Sequence, residues 1–181
     1  MTAKKNQSHI LISSNEIAQK LTRIGYEIIE RNQDINQLAL IGIKTRGAVM
    51  ASRIAETIKK ATAQSVDYGM LDVTLYRDDF GTNNRSVPTT SQIDFSIEAK
   101  KLIIVDDVLF TGRTINAAIR ALFDLGRPDS IQLAVLIDRG HRELPIRPDY
   151  CGKNLPTQYI ERVFVRLMET DGEDVVLALG G

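Results

Sequence analysis

The chain has 181 residues, 43% of them hydrophobic and 25% charged, and its 23 basic side chains are matched by 23 acidic ones. That size fits one domain with a substantial core, and the composition is that of a soluble globular protein. A formal net charge of zero excludes bulk attraction to a polyanion, so a nucleic-acid partner has to meet a local basic patch.

The opening residues, Met-Thr-Ala-Lys-Lys-Asn-Gln-Ser-His-Ile, lack the apolar core of a signal peptide, and no later apolar run reaches membrane-spanning length. The expected location is the cytoplasm, with no membrane contact. Ile17, Leu21, Ile24 and Ile28 recur at helical spacing, which predicts an amphipathic helix over residues 15–31 capped by Ser13 or Ser14. Residues 38–43 read as a buried strand. Residues 47–60, with Val49, Ile54 and Ile58 on one side, read as a second helix. A strand within residues 66–76 is expected to bend near Gly69. Residues 77–90 are polar and long enough to form a functional lid. A short returning strand is expected at 93–95. The continuous β-rich runs 102–105 and 131–137 are typical of strands covered on both faces, with an amphipathic helix over 115–125 between them. Cys151 is the sole cysteine, which excludes an intrachain disulfide and fits a reducing compartment. Late strands are expected at 163–167 and 175–179. Strands alternating with helices predict an α/β fold with a largely parallel central sheet. No linker or repeat interrupts it, so residues 1–181 are expected to form a single domain.

Two segments carry the chemistry. Residues Leu102 to Thr114 read Leu-Ile-Ile-Val-Asp-Asp-Val-Leu-Phe-Thr-Gly-Arg-Thr. An apolar strand is expected to end at Asp106 and Asp107, a carboxylate pair suited to a vicinal diol or a divalent cation. Such groups are costly to desolvate without a partner. The turn Thr111-Gly112-Arg113-Thr114 then leaves backbone N–H groups at a helix start, where a phosphate is favoured. Diol beside phosphate describes a ribose 5-phosphate. The second segment, Lys44-Thr45-Arg46-Gly47, follows the strand at 38–43. It offers two cations, a hydroxyl and a glycine that permits close backbone approach, a second anion site beyond a strand's carboxyl end.

The run from Asp106 through Val108, Leu109 and Phe110 to Thr114 closely resembles the 5-phosphoribosyl-1-pyrophosphate (PRPP) motif of type I phosphoribosyltransferases. Beside it, Lys44–Gly47 looks like the pyrophosphate loop of the same enzymes, which often carries a cis non-proline peptide; by resemblance it falls at Lys44–Thr45. In this family such a lid would let Arg77, in Leu75-Tyr76-Arg77-Asp78-Asp79, reach the pyrophosphate while water is excluded. The segment Asp138-Arg139-Gly140-His141-Arg142-Glu143-Leu144-Pro145-Ile146-Arg147, with Gly152-Lys153-Asn154, resembles the hood of a narrower family. That family is the pyrimidine operon attenuation regulators with uracil phosphoribosyltransferase activity, PyrR, and the resemblance runs essentially the whole chain.

The resemblance implies a type I phosphoribosyltransferase fold with a small hood, about residues 138–160. It implies transfer of phosphoribose from PRPP to uracil, giving UMP and pyrophosphate, with Arg46, Arg77, Asp106 and Asp107 as catalytic residues. It places Lys44, Thr45, Gly47, Val108 to Thr114 (Arg113 included), Asp138, Arg139 and Gly140 against the substrates. Mg²⁺ is implied mainly through PRPP oxygens, with no dedicated protein metal site. The resemblance further implies UMP-dependent binding of pyrimidine-operon leader RNA by a homodimer or higher oligomer, with Thr22, Arg23, Arg31, Thr45, Arg142, Arg147 and Lys153 carried over as RNA contacts. These are hydroxyls and cations suited to phosphates and exposed bases. Where many members place histidine, three residues after Arg23, this chain has Tyr26, which stacks but cannot become cationic. Purine transferases of this fold usually carry an aspartate just before the Thr-Gly pair. Phe110 stands there and cannot act as a base, which disfavours purines. Two rival readings are an RNA-binding regulator with a relic active site and a transferase for another base. Turnover of uracil with PRPP separates the first of them from the main reading.

Overall fold

The computed structural model describes residues 8–76 and 91–180. Five parallel strands form the central sheet: β2 (Leu38–Ile43), β3 (Asp67–Leu71), β4 (Lys101–Leu109), β5 (Ser130–Asp138) and β6 (Tyr150–Asn154), in the order β3-β2-β4-β5-β6. Three further strands, β1 (Ser8–Ile12), β7 (Arg162–Arg166) and β8 (Val175–Leu179), form a small antiparallel sheet in the order β1-β8-β7. The helices α1 (Ser14–Arg31) and α2 (Arg46–Thr62) cover one face of the central sheet, α3 (Arg113–Leu125) covers the other, and a short turn of helix, α4 (Met168–Asp171), joins β7 to β8.

The two core layers follow from strand alternation, because successive side chains point to opposite faces. Leu40, Ile103 and Val105 pack with Ile24 of α1 and Ile54 of α2, whereas Ile41, Ile104 and Val135 pack with Ala118 and Leu122 of α3. Burial on both faces explains the unbroken apolar runs in β2, β4 and β5. Tyr150 is buried at the start of β6, where its hydroxyl donates to Gln132 Oε1 at 2.7 Å and accepts from Asn32 Nδ2 at 3.0 Å. It ties β6 to β5 and to the end of α1. Among the described residues no helix is long and apolar enough to cross a membrane.

The helices and most strands lie where the sequence pattern puts them, with four differences. The strand carrying the carboxylates does not stop at Val105: β4 continues to Leu109 because β5 runs on beside it, pairing Asp106 with Val135 and Leu109 with Asp138. No bend occurs at Gly69, where the β2–β3 register passes without interruption; the glycine is needed because a Cβ there would lie 2.7 Å from the Gln92 carbonyl oxygen. Residues 93–95 form no strand, and an isolated bridge from Met70 to Gln92 stands in their place. The strands β1 and β6 carried no sequence signal. Residues 77–90 of the expected lid, Arg77 among them, lie outside the described residues.

Candidate active site

The order β3-β2-β4-β5-β6 reverses direction between β2 and β4, and a crevice beyond the carboxyl ends of strands at such a switch point is where ligands of open parallel sheets bind. Both predicted anion loops flank this point. Pairing of β2 with β4 ends at Gly42 and Val105, so Asp106 and Asp107 sit on β4 just past the end of that pairing. Adjacent strand residues face opposite ways, and the two carboxylates divide accordingly. Asp106 lines a cavity of about 310 Å³ on the α3 side. Asp107 lies on the other side, close enough to Arg46 to feel its charge; burial pushes its carboxyl above the usual range, while the Val108 N–H and the Arg46 guanidinium pull it down.

Residues 44–47 cross the switch point at close quarters. The Lys44–Thr45 peptide is cis, as the family resemblance implied. Thr45 stands at the N-cap position of α2 without a side-chain capping bond and is exposed, and Lys44 Nζ lies 3.3 Å from Asp72 Oδ2. A Cβ on Gly47 would stand 2.3 Å from the Val105 carbonyl oxygen, and one on Gly42 would stand 2.4 Å from the Ala48 nitrogen. The close approach that Gly47 permits is therefore to β4 itself. Arg46 directs a fork at Asp171 of α4, Nε to Oδ2 at 3.1 Å and Nη2 to Oδ1 at 2.7 Å. Nothing in the sequence pattern pointed to Asp171.

The loop after β4 wraps the cavity with Val108 to Ile115. Gly112 occupies the cap position of α3 at φ +92°, a conformation that favours glycine, and the Arg113 N–H that follows turns back to Thr111 Oγ1 at 3.4 Å. The first turn of α3 borders the cavity through Arg113, Thr114 and Ile115, at the end of a helix where backbone N–H groups favour an anion. The hood is strapped to this loop. The N–H groups of Glu143 and Leu144 donate to the Thr111 carbonyl at 3.0 and 3.2 Å, and Arg113 Nε lies 2.7 Å from Glu143 Oε2.

Asp138, Arg139 and Gly140, which the resemblance places against the substrates, take part in holding the hood together. Asp138 accepts from the Gly140 N–H and from Arg142, and buried Arg139 donates to Thr157 Oγ1 and the Gln158 carbonyl while its guanidinium lies 4.2 Å from the Phe110 ring centre. Burial pulls the Arg139 pKa below its usual value. His141, at φ +59°, lies with its Nε2 2.6 Å from the Thr157 carbonyl oxygen. Exposed Tyr159, which sequence reasoning overlooked, lines the cavity and packs against both Phe110 and His141. Its signal in the sequence is an aromatic residue late in the hood.

The cations of the RNA carry-over separate into groups. Arg23, Arg31 and Lys153 lie along the seam of α1 and β6. Arg23 donates to the Cys151 and Gly152 carbonyls at 2.9 and 2.8 Å, and Arg31 pairs with Asp149 at 3.3 Å over the Tyr150 ring. Thr22, Tyr26 and Arg147 are exposed. Arg142 is committed inside the hood, donating to the carbonyls of Ile146, Phe110 and Gly140 and to Asp138. Thr45 belongs to the cis loop, away from that seam.

Comparison with known proteins agrees with this geometry. A phosphoribosyl transferase domain model matches residues 9–165. The "Bifunctional protein PyrR" of Deinococcus radiodurans is 54% identical over 97% of this chain and 95% of its own length. The chain belongs to the PyrR family. The PyrR protein of Acetivibrio thermocellus is likewise 54% identical, over 92% of this chain and 91% of its own. Among solved structures, a hypoxanthine phosphoribosyltransferase from Trypanosoma cruzi superposes with a TM-score of 0.74 at 22% identity, covering 97% of this chain and 96% of that one. One from Staphylococcus aureus gives 0.72 at 21%, covering 95% and 91%. At these identities the purine enzymes establish the fold alone, the type I phosphoribosyltransferase fold.

Proposed function

We propose that this PyrR-family phosphoribosyltransferase transfers phosphoribose from PRPP to uracil and, when charged with UMP, binds pyrimidine-operon leader RNA to control transcription attenuation. The observation that carries the catalytic half is the meeting of two anion-binding loops and a split carboxylate pair at one switch point. The start of α3, with Thr111, Gly112 and Thr114, holds the 5-phosphate. Asp106 takes the ribose from the cavity side, and Asp107 faces the ribose and hydrated metal from the side of Arg46. Carboxylate oxygens suit Mg²⁺, and Asp106 and Asp107 would help to hold an ion brought in with PRPP. When bound, it neutralises charge on the leaving pyrophosphate.

Uracil N1 forms its bond to the ribose C1′ as the bond from C1′ to pyrophosphate oxygen breaks, and the N1 proton passes to solvent. Lys44, Thr45, Arg46 and Gly47, with Arg77 from the lid, stabilise the departing pyrophosphate as the ribose gains oxocarbenium character. No nucleophilic side chain is required, since positioning and charge stabilisation suffice. Phe110 offers no proton acceptor, which favours uracil over a purine.

RNA engages Thr22, Arg23 and Arg31 on α1 together with Arg147 and Lys153, and a cytoplasmic dimer joins two such patches; Thr45 and Arg142 act from the active-site loop and the hood. The test combines a uracil/PRPP turnover assay with leader-RNA binding, with and without UMP. Turnover with UMP-enhanced RNA binding is the expected result. RNA binding without turnover would favour the relic-site regulator instead.

A further inference from the structure

Arg46 and Arg53 stand seven residues apart on α2, two turns, so they share a face. Both meet the acidic turn between β7 and β8. Arg53 donates to Glu169 at 2.9 and 2.6 Å and to Asp174 at 2.9 and 2.8 Å, which docks that turn on α2. Arg46 meets Asp171 through Nε and Nη2. The Asp171 carboxylate is itself fixed, because its Oδ2 also accepts from the Leu167 N–H at 3.0 Å and from Thr170 Oγ1 at 2.7 Å.

A guanidinium presents two forks. One is Nε with Nη2, and the other is Nη1 with the second proton of Nη2. Asp171 occupies the first, so the second is set by the planarity of the group. We propose that Asp171 is a positioning residue, which holds Arg46 so that its end-on fork addresses the pyrophosphate of PRPP. This rests on reading residues 44–47 as the pyrophosphate loop. A residue 125 positions away in sequence thereby orients the leaving-group cation. An unanchored arginine would lose rotamer freedom on meeting the ligand, whereas an anchored one has already lost it.

The test uses the full-length protein and measures KM for PRPP, inhibition by Mg-pyrophosphate and affinity for UMP. Asp171→Asn breaks the fork while keeping the size of the side chain. It is expected to raise KM for PRPP and the pyrophosphate inhibition constant on the order of tenfold, the scale of one charge-assisted hydrogen bond, while UMP affinity stays unchanged. Glu169→Gln perturbs the same turn through Arg53 without touching Arg46, and it should leave all three values unchanged. In an Arg46→Ala background, Asp171→Asn should add nothing, because its effect passes through Arg46.

Unchanged or tighter pyrophosphate binding by Asp171→Asn, in a protein that turns over, would overturn the positioning role and leave the transferase assignment standing. Equal losses in Asp171→Asn and Glu169→Gln would overturn it too, by showing that docking of the turn matters and aim does not. If Arg46→Ala itself leaves pyrophosphate inhibition unaltered, the loop assignment fails and takes the inference with it.

Discussion

Asp106 and Asp107 are neighbours in sequence and on opposite faces of β4, so in the proposed site they would meet the ligand from separate sides. Asp106→Asn and Asp107→Asn should each weaken PRPP binding by about 1.5–3 kcal/mol, the worth of a charged hydrogen bond, with the fold retained. Titration calorimetry on each single variant checks this, and PRPP affinity unchanged in both would remove the carboxylates from the site. Gly112 belongs to the same scale. At φ +92° it accepts no Cβ without strain, and an added Cβ would meet Ile146 at 3.3 Å. Gly112→Ala should cost roughly 1–2 kcal/mol of stability from the backbone alone and, with the turn as the proposed phosphate site, should also weaken UMP binding. Chemical denaturation beside UMP titration measures the two losses separately.

At the scale of elements, α2 is fastened at both flanks of the site. Its first turn lies so close to β4 that Gly47→Ala sets a Cβ against the Val105 carbonyl, a backbone atom unable to swing aside. That overpacking should destabilise the protein by about 1–3 kcal/mol and move residues 44–47, so melting temperature and turnover should fall together. Farther along, Arg53 holds Glu169 and Asp174 in their charged forms, and both carboxyls titrate below the usual range because of their hydrogen bonds to it. A depressed carboxyl pKa stabilises the fold above the unfolded value and loses that contribution as pH falls through the folded one. Arg53→Gln should therefore lower the melting temperature at neutral pH, and the gap to wild type should close below about pH 4. A gap that persisted in acid would assign the loss to packing of the arginine stem instead.

The molecule as a whole is electrically neutral, so the RNA binding proposed for it would depend on where its cations are left exposed. Arg147 is exposed at the edge of the hood, and the hood is hydrogen-bonded to the phosphate loop through Thr111 and Arg113. If the proposed sites are right, these bonds would link occupancy of the nucleotide site to presentation of Arg147. Arg147→Gln should weaken leader-RNA binding, lower its log–log salt slope by about one and spare uracil transfer. Reciprocity requires that RNA tighten UMP binding by the same factor by which UMP tightens RNA. Filter binding over a salt series, run beside a turnover assay, tests both statements. Loss of turnover in Arg147→Gln would instead make the residue part of the catalytic scaffold.

Local patterns in the chain were enough for much of this. The apolar runs of β2, β4 and β5 and the spacing of Ile17, Leu21, Ile24 and Ile28 are signals within a few residues of one another, and each dictates an element because burial on one or two faces leaves a periodic trace. The Asp-Asp and Thr-Gly-Arg-Thr segment and the Lys-Thr-Arg-Gly segment are likewise local, since an anion loop is built from consecutive backbone groups. Contacts between distant residues left no such trace. The strand β1 pairs with β8 across nearly the full length of the chain, and β6 is an edge strand whose polar residues blur the alternation. Only folding brings Asp171 to Arg46 and Tyr159 to Phe110, commits Arg142 to the hood and turns Asp106 and Asp107 to opposite sides. Sequence determined which chemical groups the site contains, and the tertiary structure decided which of them face the ligand and which are held by one another, because that choice depends on distances that sequence order does not encode.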